Sequence, residues 1–485
     1  MSGSAFIGGV WRQGSGERFV STDPATGETV WEGASASAED CAAAMAAARA
    51  ALPVWADRPL EERVAVLRCY AAVLKERTPV LAEAISRETG KALWETTAEL
   101  GSMIGKVEIS IRAQAERAGG REAATAFGRA VLRHRPHGVA AVLGPYNFPG
   151  HLPNGHVVPA LLAGDTVVFK PSELTPHAGE LMVRALQEAG VPAGAVNLVQ
   201  GARDTGQALL AQGIDALLFT GSAGAGAAFR RAFADRPEVV LALELGGNNP
   251  LIVWDAEDAE AAAGIVVQSA FVTTGQRCSC ARRLILPEGV AGDRVLAALE
   301  ALSGRLRFGP WSGAEEPFAG PLIGERAASG AAAQVEALID RGARVLFRGS
   351  APDGPAWFAP VALDATGVDT PDDEIFAPVL QVRRAATFDE AVRLANATRY
   401  GLAAGLLSDD AERWRRFLNR SRAGVVNWNR PTTGAAGDMP FGGLNASGNH
   451  RPSAYYAADY AAYPVASFEA DRVASTVSEI RGLRA

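Results

Sequence analysis

The chain has 485 residues, of which 48% are apolar and 21% charged, and its formal net charge is -7. This length exceeds what one simple hydrophobic core serves, so we expect two or more lobes. Binding to nucleic acid or to an anionic membrane requires a basic surface, and a spanning helix requires a long apolar run; neither is present, so a small molecule is the expected partner.

The first third of the chain is predicted to be mainly helical. The segment Phe6–Trp11 is expected to form a strand and turns that pack on a larger body. Leucines and valines at spacings of three and four predict three helices, Ala38–Ala51, Leu60–Glu88 and about Trp94–Arg117. Ser37 is typical of a helix N-cap, and Pro59 suits a helix start.

Short apolar runs then alternate with amphipathic stretches, which predicts parallel sheets covered by helices. The first series favours a dinucleotide-binding lobe and comprises Val139–Leu143, Thr166–Lys170, Ala195–Val199, Ala216–Thr220 and Val239–Leu245. The second series includes Arg282–Leu286, Arg344–Phe347, Val379–Val382, Leu402–Leu407 and Gly424–Asn427. Two β-prone pieces, 122–136 and 460–476, fit neither lobe.

Three segments carry the chemistry of a carbonyl reaction. Asn147 lies between two prolines, so its side-chain amide is a candidate donor to a developing oxyanion. Glu244 ends an apolar strand, where desolvation raises the pKa of a carboxyl and makes it a candidate general base. Cys278 follows Gly-Gln-Arg and is a candidate nucleophile, because a thiolate attacks carbonyls well and forms a thioester that water can cleave.

The same residues have simpler explanations. A free cysteine is often an inert core thiol, and a carboxylate at a sheet edge is often only paired. Cys278 and Cys280 could suggest zinc, but no second ligand pair stands at the required spacing, so no metal is expected. Cys280 is interpreted as structural; were the two cysteines in a strand, they would face the same side and could oxidise together.

A glycine-rich segment follows the fourth apolar run of the first series. Its small residues would let backbone amides and a helix N-terminus approach a pyrophosphate, although the pattern is also common in ordinary turns. The residues predicted to do so are Gly221, Ser222, Ala223, Gly224, Ala225 and Gly226.

Seven short segments, in order and across nearly the whole chain, resemble the NAD(P)-dependent aldehyde dehydrogenase superfamily. They are Pro-Tyr-Asn-Phe-Pro at 145, Phe-Lys-Pro-Ser-Glu at 169, Phe-Thr-Gly-Ser at 219, Leu-Glu-Leu-Gly-Gly at 243, Gly-Gln-Arg-Cys at 275, Glu-Ile-Phe-Ala-Pro at 374 and Pro-Phe-Gly-Gly at 440. Within that superfamily, segments 150–156, 427–434 and 447–455 are similar to the N-succinylglutamate 5-semialdehyde dehydrogenases of arginine breakdown, on the succinyltransferase route.

The resemblance implies an α/β fold with a Rossmann-type NAD lobe, an α/β catalytic lobe and a small β oligomerisation element. The implied domains are 1–121 with 138–249 for the dinucleotide, 250–436 for catalysis, 122–137 with 459–485 for oligomerisation, and 437–458 as a return segment lining the active site. A homodimer or homotetramer is expected.

The resemblance also assigns cofactor residues. Lys170 and Glu173 would hold the adenosine ribose hydroxyls, and a carboxylate there disfavours a 2′-phosphate, so NAD is expected rather than NADP. Glu374 would contact the nicotinamide ribose, and Phe376 would lie near the ring. Tyr146 stands where tryptophan is commoner in the family, which could alter packing behind Asn147.

A substrate that carries acidic groups requires cations or several hydrogen-bond donors in its pocket. The candidates are Arg112, Asn154, His156, Arg277, Arg430, His450 and Arg451. Because most arginines are merely solvated, we expect only about two of these side chains to touch substrate.

Four cysteines in so long a chain make a disulfide framework unexpected, and the first residues show no secretory signal, so a cytoplasmic location is expected. Three alternatives remain open. The chain could be a dehydrogenase for another aldehyde, including one that passes its thioester to coenzyme A, although Glu244 favours water as acceptor. It could be a thiol hydrolase using Cys278 with a histidine, or a ligand-binding protein that lost activity.

Overall fold

The computed structural model describes residues 3–126 and 128–483. The predicted domain ends at 1 and 485, and Phe127 within the predicted oligomerisation element, lie outside the described residues. The strands are β1 Ala5–Ile7, β2 Val10–Arg12, β3 Arg18–Thr22, β4 Thr29–Ala34, β5 Arg121–Thr125, β6 Gly128–Pro136, β7 Val139–Leu143, β8 Thr166–Lys170, β9 Val196–Val199, β10 Ala216–Gly221, β11 Val240–Leu245, β12 Asn249–Val253, β13 Ala281–Pro287, β14 Arg344–Arg348, β15 Val361–Asp364, β16 Val379–Ala385, β17 Ala403–Leu407, β18 Val425–Trp428, β19 Pro440–Phe441, β20 Ser453–Ala454 and β21 Ala462–Glu469. The helices are α1 Ala38–Ala56, α2 Leu60–Glu76, α3 Thr78–Thr89, α4 Leu93–Arg117, α5 His151–Ala163, α6 Pro176–Glu188, α7 Arg203–Leu210, α8 Ala223–Ala232, α9 Ala259–Ala270, α10 Val290–Ser303, α11 Glu325–Asp340, α12 Phe388–Asn396, α13 Ala411–Arg420 and α14 Ala457–Ala461.

The first large sheet has the strand order β11-β10-β7-β8-β9-β1-β2. Strands β7 to β11 are parallel, and the N-terminal β1 and β2 extend the sheet at one edge with antiparallel pairing. Phe169 packs into one apolar cluster and Val168 into another, so both faces of the sheet are covered, as buried parallel strands require. The predicted parallel α/β fold is confirmed here.

The second large sheet has the order β14-β15-β16-β13-β12-β17-β18, and only β14 runs antiparallel to its neighbour. Five of these seven strands were predicted from their apolar runs, and β12 and β15 were not. The two β-prone pieces that fitted neither lobe meet in a third sheet of order β21-β6-β5.

The helical predictions need one correction. The predicted helix over Leu60–Glu88 is two helices, α2 and α3, with a break at Arg77. Pro79 falls in the first turn of α3, because its missing N–H and fixed φ are tolerated there and not in a helix interior. The predicted N-cap at Ser37 is confirmed: its hydroxyl accepts from the Asp40 N–H at 3.2 Å, and the Asp40 carboxylate accepts from the Ser37 N–H at 3.0 Å.

The ends of the first sheet's strands place the candidate residues. β7, β8 and β10 lead at their carboxyl ends into Asn147, Glu173 and the glycine-rich segment, and Glu244 lies near the end of β11. In open parallel sheets this edge is where ligands bind. Within residues 3–126 and 128–483, no helix combines the length and apolar character that a membrane crossing requires.

Candidate active site

A cavity of about 630 Å³ brings the three predicted catalytic residues together. The cavity is lined by Asn147, Glu244 and Cys278, together with Glu374 and Phe376. These residues lie in strands of the two large sheets or in the loops next to them, so both sheets contribute to the cavity. Its size is that of a cofactor or substrate site.

The Asn147 side chain is fixed against the turn that precedes Cys278. Its Nδ2 donates to the carbonyl oxygen of Gln276 at 2.9 Å, and its own backbone carbonyl accepts from Lys91 Nζ at 3.0 Å. Tyr146 contacts Phe376 edge to face, with ring centroids 6.2 Å apart. One amide hydrogen of Asn147 therefore positions the group, and the second remains to donate to a ligand.

Glu244 is buried with half of its carboxylate unpaired. Oε1 accepts from the Ser453 N–H at 3.1 Å, whereas Oε2 is buried and has no hydrogen-bond partner among the described residues. Burial raises the pKa of Glu244 well above its usual range, and the Ser453 hydrogen bond only partly opposes this. A carboxyl of this kind can accept a proton near neutral pH.

The turn before Cys278 is held in an unusual backbone conformation. Thr273 and Thr274 have φ of 56° and 52°, in the left-handed region that threonine rarely adopts. At Gly275, with φ of 70°, a Cβ atom would lie 2.3 Å from the backbone of Ala377, so only glycine fits. The Thr274 hydroxyl donates to the Gly320 carbonyl at 2.6 Å, which anchors the strained turn.

Asn249 holds the backbone of Cys278 from the other side. Its Nδ2 donates to the carbonyl oxygens of Cys278 and Cys280, at 2.7 and 2.8 Å. Strand β13 begins only at Ala281, so the two cysteines lie in a turn and the strand geometry considered for their joint oxidation is wrong. Cys280 is fully buried.

The Cys278 thiol is protonated at neutral pH in the chain alone. Burial, with the nearby carboxylates of Glu374 and Glu244, raises the pKa of Cys278 to about 12. Formation of a thiolate therefore requires a proton acceptor or a cation nearby.

The residues expected to bind the adenosine end of a dinucleotide lie at strand ends of the first sheet. Lys170 Nζ donates to the carbonyl oxygens of Pro171 and Gly201, at 2.9 and 2.7 Å, and lies 3.9 Å from the exposed Glu173 carboxylate. Ser222 caps α8 by accepting from the Ala225 N–H at 3.2 Å. Segment 221–224 lines the large cavity, so the N-terminus of α8 is directed to it.

Glu374 passes close to Gly246 where it lines the cavity. A Cβ at Gly246 would lie 1.9 Å from Glu374 Oε2, so this close approach requires glycine. Arg282 lies 3.4 Å from the Glu374 carboxylate and 5.4 Å from the Phe376 ring centroid. Burial raises the pKa of Glu374 to about 7 despite the arginine. The small residues at the N-terminus of α8, the carboxylates of Glu173 and Glu374, and the volume of the cavity together fit a dinucleotide.

A second cavity, of about 230 Å³, meets the first at Cys278. Leu152, Thr220 and Phe441 also line both. Residues 437, 441, 453 and 454 of the expected return segment lie on its wall. Cys278 thus stands where a cofactor-sized cavity and a smaller one join.

Two of the seven predicted substrate residues, His156 and Arg277, line the second cavity. His156 bonds Tyr460 Oη through Nδ1 at 2.9 Å and Thr220 Oγ1 through Nε2 at 3.2 Å. Burial lowers the pKa of His156 to about 3, so its ring is neutral and offers polarity without charge.

The structure does not bring the other five to either cavity. Arg112 and Arg430 are exposed, and Asn154 is buried with its amide satisfied by Tyr70 and Met103. His450 and Arg451 line a separate cavity of about 260 Å³ behind Glu244.

Two residues of the site were not singled out from the sequence, namely Asn249 and Lys106. Lys106 lines the second cavity and lies on the buried stripe of α4 with Met103 and Ser110. Lys106 stands three residues after Met103 and four before Ser110, a spacing that predicts a position on the buried face of the helix. In the described part of the chain, no three His, Cys, Asp or Glu side chains are grouped to hold a metal ion.

Known proteins share both the sequence pattern and the fold of this chain. Residues 11–463 match the aldehyde dehydrogenase family. A Caulobacter protein named N-succinylglutamate 5-semialdehyde dehydrogenase is 66% identical, with all of both chains covered. Betaine aldehyde dehydrogenase from Staphylococcus aureus, solved with NAD+, has a TM-score of 0.89 and 26% identity over 96% of this chain and 95% of its own.

A structure of NADP-dependent glyceraldehyde-3-phosphate dehydrogenase from Bacillus halodurans, complexed with NADP, has a TM-score of 0.88 and 28% identity over 96% of this chain and 99% of its own. Both forms of the nicotinamide dinucleotide thus occur among similar folds. Because the family match extends over most of its length, the chain belongs to the aldehyde dehydrogenase family and is an oxidoreductase acting on aldehydes.

Proposed function

We propose that this enzyme oxidises N-succinyl-L-glutamate 5-semialdehyde to N-succinyl-L-glutamate with NAD, through a thioester on Cys278, in arginine breakdown. The observation that carries the chemistry is the common cavity of Cys278, Glu244 and Asn147 at the junction with a second, smaller cavity. The substrate is supported by the name of the relative that is 66% identical over the full length.

Cys278 acts as the nucleophile in this proposal. Its sulfur adds to the aldehyde carbon, and the resulting oxyanion accepts hydrogen bonds from the Asn147 amide and the Cys278 backbone N–H. The Asn147 amide needs no reorganisation, because its bond to Gln276 already fixes it. The raised pKa of the thiol means that a proton must leave before or during attack; the positive charge of a bound nicotinamide would favour the thiolate, and the proton would pass to solvent through the cavity.

Glu244 acts in the second half of the reaction. A bound nicotinamide supplies the hydride acceptor that turns the Cys278 adduct into a thioester. Glu244 then removes a proton from water so that the water cleaves the thioester and frees Cys278. Its unpaired Oε2 is available for that proton.

NAD rather than NADP is the cofactor in this proposal. Glu173 lies 3.9 Å from Lys170, and a carboxylate at the adenosine ribose repels a 2′-phosphate. The segment 221–226 would hold the pyrophosphate, and Glu374 with Phe376 the nicotinamide end, as the resemblance implies.

We also propose that the sheet of β21, β6 and β5 mediates assembly into a homodimer or homotetramer. Phe468 on β21 is 83% exposed, which is unusual for a large apolar side chain on the solvent-facing surface of a complete assembly. The proposed domains are 1–121 with 138–249 for the dinucleotide, 250–436 for catalysis, 122–137 with 459–485 for oligomerisation, and 437–458 as the return segment. The four free cysteines fit a reducing cytoplasm.

NADH formation, followed by absorbance with the full chain and a panel of aldehydes, tests the proposal. N-succinylglutamate 5-semialdehyde is expected to give the highest kcat/KM, with no requirement for coenzyme A. Dependence on coenzyme A would identify an acylating enzyme, and a higher kcat/KM for another aldehyde would replace the substrate. Thioester hydrolysis without NADH formation would favour the thiol hydrolase, although in the described residues no histidine is hydrogen bonded to Cys278.

A further inference from the structure

Among the residues that the structure describes, Lys106 is a buried cation without a counterion. It is 3% exposed on the inner face of α4, and its side chain lines the second cavity. Its ammonium donates a hydrogen bond to the carbonyl oxygen of Ala454, at 2.5 Å. Within the described residues, no carboxylate lies within ion-pair distance of it.

The other basic side chains on this cavity are either paired or neutral. Arg277 lies 3.4 Å from Glu95 and donates through Nε to Thr273 Oγ1 at 2.8 Å. Burial lowers the pKa of His151 to about 4, so that ring is uncharged at neutral pH, as the His156 ring is. Burial lowers the pKa of Lys106 to about 8, which leaves it mostly charged at neutral pH. Among the described residues that line the second cavity, Lys106 therefore contributes the uncompensated positive charge.

A buried ammonium normally costs folding free energy unless an anion joins it. Three N–H donors are available on Lys106, and the Ala454 carbonyl occupies one. The cavity that the remaining donors can face also contains the Cys278 thiol that receives the aldehyde. An anion held at Lys106 would thus belong to the same molecule as the reacting carbonyl.

We propose that Lys106 binds a carboxylate of the aldehyde substrate and sets the preference for acidic over neutral aldehydes. This inference rests on the proposed function, because it concerns the same cavity. A charge-assisted hydrogen bond of this kind is made with the bound substrate and compensates the ammonium only when substrate is present.

The test compares Lys106→Met with the parent on N-succinylglutamate 5-semialdehyde and on pentanal, which has no carboxylate. Loss of the ammonium is expected to raise KM for the acidic aldehyde about 10- to 100-fold and to leave KM for pentanal within about twofold. Lys106→Arg, which keeps the charge, should lie closer to the parent. Lys75→Met, on the exposed face of α2, is the matched control and should change neither value.

Thermal unfolding separates this role from a structural one. Because Met removes an uncompensated buried charge, the Tm of Lys106→Met should equal or exceed that of the parent. A lower Tm with equal losses on both aldehydes would assign Lys106 to structure and overturn the proposal. An unchanged ratio of kcat/KM for the two aldehydes in Lys106→Met would also overturn the proposal.

Failure of the proposed function can be recognised separately. If the parent prefers another acidic aldehyde of the panel, the proposed substrate is wrong, and the same ratio against pentanal is then measured with that aldehyde. If the parent prefers neutral aldehydes, both the substrate and the role of Lys106 are overturned.

Discussion

Asn249 donates a hydrogen bond of 2.7 Å to the carbonyl oxygen of Cys278, and it lies five residues after Glu244. One short segment, which contains Gly246 and Gly247, thus carries both the base Glu244 and the Asn249 side chain that holds the backbone of Cys278. A Cβ at Gly247 would lie 2.4 Å from Asn249 Oδ1, so the glycine makes room for this contact. The Glu-Leu-Gly-Gly pattern therefore serves the geometry of the nucleophile as well as carrying the base.

Asn249→Ala should reduce kcat while leaving cofactor affinity nearly unchanged. The substitution frees the Cys278 and Cys280 carbonyls, so the turn that aims the thiol loses its tether. We expect a roughly 10- to 100-fold loss of kcat and about 1–3 kcal/mol of stability, measured by NADH formation and urea unfolding. Asn396→Ala, which removes a half-buried amide that donates to the Arg420 carbonyl far from the nucleophile, is the control. An unchanged kcat with the same stability loss would show that the contact is structural only.

Glu244→Gln should separate the two halves of the reaction. Glutamine keeps the shape and can still accept from the Ser453 N–H, but it cannot take a proton from water. A stopped-flow trace should retain a burst of NADH approaching one per active site, followed by turnover slowed about 10²- to 10⁴-fold. Loss of the burst as well would mean that Glu244 is essential already for thiol attack. Glu238→Gln, at an exposed position, controls for the loss of a carboxylate.

The regular parts of the fold follow from local pattern. Strands β7 and β8 were predicted to the residue, because continuous apolar runs bounded by turn residues predict buried parallel strands. The break between α2 and α3 was missed although Pro79 signals it, since the apolar periodicity continues through the proline.

The side chains of the site likewise include some that the local sequence predicts and some that it does not. Cys278, Glu244 and Asn147 stand in short segments whose chemistry can be read locally. Lys106 and the Asn249 contact depend on distant elements meeting: Ala454 comes 348 residues after Lys106, and Cys278 comes 29 after Asn249. Periodicity can place a residue on a buried face, but it does not give the partner it meets there.

Glu173→Gln should relax the choice of cofactor. The exposed Glu173 carboxylate is the negative charge that would oppose a 2′-phosphate, and glutamine removes it while keeping polarity. KM for NADP should fall by roughly 10-fold, with KM for NAD rising less than that, as measured by NADPH and NADH formation. Glu76→Gln at the end of α2 serves as a distant control. If the NADP/NAD ratio stayed constant, another residue would discriminate the two cofactors.

Phe468→Asp should weaken self-association. An apolar side chain that is 83% exposed on β21 is expected to be covered in the assembly, and a carboxylate there cannot be covered without cost. Sedimentation velocity should show a shift towards smaller species at low protein concentration. Val290→Asp, at a side chain 76% exposed on α10, tests whether any exposed apolar residue gives the same result. Equal shifts for both variants would argue against the three-stranded sheet as the interface.

The reactivity of Cys278 should follow its raised pKa. Since only the thiolate is alkylated and the pKa is about 12, the iodoacetamide rate should rise about tenfold per pH unit from pH 7 to pH 9 without levelling. The measurement is made in a Cys69→Ser background, because Cys69 is exposed, with Cys278→Ser as the blank. Added NAD brings a positively charged ring near the thiol, so it should lower the pKa and raise the rate at pH 7. A plateau near pH 8 without NAD would mean that the chain itself already stabilises the thiolate, without help from the cofactor.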